Sequence, residues 1–172
     1  ASHISIDVGD QMYGVNGSCY IRIPFQFNGD RGVLDTMTLK VQYDDGFVAY
    51  LNGQEVARRN APKPIQYDSV ATAEVPAGQS QTSEWFDLSA SLGLLQAGTN
   101  VLAVHALNVD ETDGNLLIEP KLLGLTTGYF SAATPGEANA AVEFLAYAQD
   151  AQFSVEHGFF ETPFQLEITT DT

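Results

Sequence analysis

Cysteine is almost missing from this chain: Cys19 stands alone among 172 residues, so no disulfide can close within it. Cations are scarce as well, seven Lys and Arg against 22 Asp and Glu, for a formal net charge of −15. Nucleic acid and anionic lipid surfaces both require clustered Lys and Arg, so both are excluded as expected partners. No apolar run approaches the roughly 18 residues that span a bilayer, so no membrane insertion is expected. The opening residues lack a basic segment followed by an apolar one, so no signal peptide is expected within the sequence. A GxSxG elbow, an HExxH helix and a phosphate loop are all absent, and the three histidines (His3, His105, His157) are isolated. No long segment repeats apolar residues every 3.6 positions, which excludes a helical architecture.

What is present is β patterning on a globular composition, 44% hydrophobic. Apolar residues alternate at Ile21, Ile23, Phe25 and Phe27, and again at Leu39, Val41 and Tyr43. Residues 101–107 (VLAVHAL) read as a strand buried on both faces. Turn signals such as NGDRG, PAGQ, AGTN and TDGN separate these runs, the spacing of a sandwich or jelly roll. Cys19 reads as a small core hydrophobe. Residues 88–95 predict a short helical turn capped by Ser89 or Asp87. Residues 137–149 are a helix candidate by propensity, with a docked extended arm as the rival because Pro-Gly precedes them.

The stretch YDDGFVAYLNGQEVARRN (residues 43–60) predicts a three-stranded meander. Asp45-Gly46 and Asn52-Gly53 both suit type I′ turns, which need positive φ at two positions. On that reading Asp45 sets a hairpin corner, Asp44 is free to cap or coordinate, and neither is a catalytic acid. Further along, TTGYFSAATPGEANA is small, polar and turn-rich. The predicted organisation is therefore a sandwich over residues 1–126, a linker arm over 127–152, and a short β tail over 153–172.

The runs YIRIPF, LKVQYDDGFVAYLNGQEVA, W-F-DLS and L-QAGTNVLAVHALN resemble a galactose-binding-like β-sandwich, a relative of carbohydrate-binding modules. Similar sandwiches occur in large secreted bacterial proteins, followed by YF..ATPGEAN-like sequence and a chitobiase-C-terminal-type β module. The segment FSVEHGFFETPFQLEITTDT is similar to the opening strands of that module and stops short of its next expected segment. The resemblance implies an all-β, jelly-roll-like antiparallel sandwich. It also implies secretion or cell-surface display, neighbouring domains of a larger chain, and polysaccharide as partner.

Sugar sites in such folds pair an aromatic platform with planar polar side chains. The candidates are Tyr13, Arg22, Trp85, His105 and Asn108, with Tyr20, Tyr50 and Arg58 behind them. Trp85 also reads as a core residue, and His105 as a hydrogen-bonded core histidine. In the loop NVDETDGN, Asp110, Glu111 and Asp113 offer hard oxygens at short spacing, as calcium prefers. The same loop also reads as a solvated acidic hairpin. The expected function is non-catalytic carbohydrate binding with a structural calcium; the alternative is a structural or adhesive spacer with no sugar ligand.

Overall fold

The structure, a computed structural model, describes residues 6–76, 78–80 and 82–126, together with 129–130, 136, 143–144, 152–154 and 168–169. The chain divides into two compact units, Ala1–Leu125 and Thr126–Thr172. In the first, seven strands form two antiparallel sheets: β1 (Ser18–Phe27), β2 (Thr36–Asp44), β3 (Gly46–Leu51), β4 (Gln54–Arg59), β5 (Glu84–Asp87), β6 (Gly98–Leu107) and β7 (Leu117–Leu125). One sheet has the order β1-β6-β3-β4 and the other β5-β2-β7, so the protein is an all-β sandwich, as its patterning predicts.

The core follows from period-2 alternation. Met37, Leu39 and Val41 of β2 meet Phe47, Ala49 and Leu51 of β3 and Leu102 and Val104 of β6, all buried. Phe86 packs edge-on against Phe47 at 5.6 Å, and Ile21, Ile23 and Phe25 close the β1 side. Residues 89–94 form a 3₁₀ turn; the Asp87 carboxylate accepts from Ser89 N at 2.9 Å and from its hydroxyl at 2.6 Å. Cys19 is only half-buried.

The predicted three-stranded meander forms at one corner and not at the other. Asn52-Gly53 does turn β3 into β4, with φ of 50° and 86°. Asp45-Gly46 does not turn β2 into β3: the two strands belong to different sheets, and the chain crosses the sandwich at Asp44–Asp45. The peptide bond between them is cis. Gly46 lies inside β3 without positive φ, and it is needed because a Cβ there would sit 2.8 Å from the Asn60 carbonyl oxygen. A glycine demanded by close backbone approach looks the same in sequence as one demanded by a turn. The aspartates are accordingly not an exposed corner but buried, Asp45 completely.

In the second unit, Tyr129–Phe130 pairs with Glu143–Phe144, and Gln152–Phe153 with Ile168–Thr169, both antiparallel. The helix candidate 137–149 therefore contributes two residues to a strand pair; its other residues lie outside the described ones, as does most of the arm and tail. Among the described residues, no helix is long and apolar enough to cross a membrane.

Candidate functional site

The register of the four-stranded sheet builds a groove on its outer face. Tyr20 stands opposite His105, which stands opposite Val48; one row further, Arg22, Ala103 and Tyr50 align across β1, β6 and β3. Because Ile21 and Ile23 turn into the core, Tyr20 and Arg22 must face outward. The loop after β4 supplies a wall of Ile65, Gln66 and Tyr67, and Asn52 and Gln96 lie at the rim. The groove volume is about 630 Å³, and among the described residues no Asp or Glu lines it.

Tyr20 is fixed at both ends. Its ring stacks on His105, with centroids 4.2 Å apart and planes 16° from parallel, and its hydroxyl donates to the Tyr67 carbonyl at 3.3 Å. It is nonetheless 59% exposed, and Tyr67 is 79% exposed. Two rings so exposed need a reason other than core packing. His105 is buried, its Nε2 has no hydrogen-bond partner among the described residues, and burial pushes the imidazole below its ordinary 6.5. At neutral pH it is an uncharged floor residue.

Of the four arginines, three are engaged. Arg31 donates to the carbonyls of Gly93 and Leu95, Arg58 pairs with Glu55, and Arg59 with Glu84. Arg22 has no hydrogen-bond or ion-pair partner among the described residues. Beyond the Tyr20–Tyr67 ridge lies a second groove of about 860 Å³, lined by Asp68, Asp110 and Glu111. The two rings thus separate an acid-free trough from an acidic one.

A second polar cluster lies where the chain crosses between sheets. Asp45 Oδ1 accepts from Val75 N at 2.8 Å and Oδ2 from Val109 N at 3.1 Å. Its backbone carbonyl accepts from the Asn60 side chain, and its N–H donates to Leu107 O. One residue thereby ties its own segment to three others, around Asn60, Val75 and residues 107–109. Beside it, Asp44 Oδ1 is buried without a hydrogen-bond partner among the described residues. Burial, and then the neighbouring Asp45, push the Asp44 carboxyl up to about 7.

The sequence candidates are dispersed by the fold. Arg22 and His105 meet in the groove, with Tyr20 and Tyr50. Tyr13 is exposed outside it, its ring against Gly114. Trp85 is not a core residue: it stands 59% exposed on the outer face of the three-stranded sheet, with the Lys40 ammonium 5.0 Å from its ring. Asn108 is buried and ties loops together, receiving Ala71 N on its carbonyl and donating its side chain to Asp113 O. The acids of NVDETDGN point to separate tasks. Asp110 accepts from Thr112 N and hydroxyl, while burial, and then the neighbouring Asp45, raises the Asp113 carboxyl. Glu111 lines the acidic groove. Among the described residues, no three His, Cys, Asp or Glu form a group that could hold a metal. Tyr67, Gln66 and Gln96 escape sequence reading because they reach the groove from irregular loops, where no periodicity says which way a side chain points.

No family model matches the chain, and no curated protein does. Among solved structures, the β-D-mannosidase of Dictyoglomus thermophilum is similar at 18% identity, covering 52% of this chain and 9% of the enzyme's chain, with a TM-score of 0.35. A likeness at that level carries no argument about the site, whose reading rests on its own geometry.

Proposed function

We propose that the domain is a non-catalytic carbohydrate-binding module whose ligand lies in the groove of the four-stranded sheet. The observation that carries this reading is the anchored, exposed Tyr20 ring beside Tyr67, with Arg22, Gln66 and Gln96 around it. A fixed aromatic face covers the apolar face of a pyranose at little entropic cost, and planar amide and guanidinium groups match ring hydroxyls. Glycoside hydrolysis needs two carboxylates flanking the bond, and the groove offers none among the described residues.

Affinity electrophoresis against a panel of plant and marine polysaccharides tests the reading. The protein should be retarded by at least one of them. Tyr20→Ala should weaken that retardation about tenfold or more, the loss of roughly 1.4 kcal/mol of ring contact; because Tyr20 also stacks on buried His105, a retained β-type circular dichroism spectrum should show that the variant still folds. No retardation on any polysaccharide would leave the structural spacer as the better description.

A further inference from the structure

We infer that the groove selects a saccharide bearing one isolated anionic group, with Arg22 as the residue that recognises the anion. This deepens the carbohydrate reading and rests on it. In a chain with 22 acids to seven bases, a guanidinium finds a carboxylate easily, and Arg58 and Arg59 both have. Among the described residues Arg22 has none, and no acid lines the groove around it. An unpaired guanidinium in an acid-free trough is complementary to a carboxylate or sulfate, which its planar fork meets with two hydrogen bonds.

The geometry gives that anion a place. Arg22 and Tyr50 flank Ala103 in one row across three strands, so they stand about 10 Å apart at the usual strand spacing. Ala103, the small residue between them, leaves a slot about one side chain wide. Tyr20 is two residues before Arg22 on the same face, about 7 Å away along β1. That spacing suits a sugar ring on Tyr20 whose charged substituent, or whose neighbour's, reaches Arg22. The flanking acidic groove sets an upper limit on ligand charge: Asp68, Asp110 and Glu111 would repel a further anion beyond the tyrosine ridge. The fitting ligand therefore has a neutral backbone and a single acidic group, which excludes densely charged polyanions.

Calorimetric titration of the whole chain with three oligosaccharides on one xylose backbone tests this: neutral, bearing one glucuronic acid, and bearing one sulfate. The unmodified protein should bind an acidic form at least tenfold more tightly than the neutral one, and the two acidic arms tell carboxylate from sulfate. Arg22→Gln should bring the acidic-to-neutral affinity ratio to about 1, and Arg22→Lys should restore part of it. Arg22 is exposed, so both variants should melt like the parent. Equal binding of all three, unaltered in Arg22→Gln, would overturn the anion inference while leaving carbohydrate binding intact. If the groove binds none of the three but the protein is retarded by a neutral polysaccharide, the inference also falls. No binding of any glycan would overturn the underlying reading instead.

Discussion

At the scale of single residues, Asp44 and Asp45 show how neighbours in sequence take opposite roles. Both oxygens of Asp45 accept from backbone N–H groups, Val75 and Val109. An amide has one acceptor and one donor, so Asp45→Asn would set an N–H against an N–H. That substitution should cost roughly 2–3 kcal/mol, measured by urea unfolding. Asp44 is different, because among the described residues nothing donates to its buried Oδ1. Its carboxyl lies at about 7 against an ordinary 3.8. Below about pH 4 both folded and unfolded chains hold this proton. Between there and about pH 7 only the folded chain does, so stability falls with rising pH across that window and the penalty is complete above it. Asp44→Asn supplies a permanent N–H donor toward Asp45. It should raise the melting temperature at pH 8 by about 3 °C or more, the shift for roughly 1 kcal/mol in a domain of this size. The gain should shrink toward pH 4. A constant difference at both pH values would refute the protonation argument.

At the scale of elements, the crossing from β2 to β3 decides the architecture. A hairpin there would have kept both strands in one sheet and buried one face; the crossing instead lets β2 and β3 face each other through Leu39, Val41, Phe47 and Ala49. The crossing depends on Gly46, over which the backbone of Arg59 and Asn60 passes. Gly46→Ala should push the end of β4 away and cost about 2 kcal/mol or more. Gly53→Ala is the useful comparison: no atom lies within 4 Å of a Cβ there, so any cost comes from its φ of 86° alone. Denaturation of the two variants side by side separates steric contact from backbone conformation. The groove depends on the same element logic. Alternation along β1 sets Arg22 on the face opposite Ile21 and Ile23, and that much was legible; that His105 of β6 shares this face follows only from the pairing of β1 with β6.

At the scale of the whole molecule, the limits of legibility are those of non-local pairing. Strand positions follow from local alternation, but which strand neighbours which does not. The pairing of β3 with β6 joins residues more than fifty positions apart, and only that pairing brings Tyr50 into line with Arg22. Tyr67 was invisible because it reaches the groove from an irregular loop, and the burial of Asp44 and Asp45 because it depends on the chain crossing between sheets. The outward Trp85 has a practical meaning for anyone studying the protein in solution. It is the chain's single tryptophan, and it belongs to the sheet on the far side of the sandwich from the groove. Its emission should therefore stay constant to within a few per cent while a glycan fills the groove, and a titration followed at that wavelength would look like failure to bind. A change in tryptophan emission would place the glycan on the three-stranded sheet. The domain carries its reporter on its back, so binding is better followed by heat, mobility or tyrosine signals.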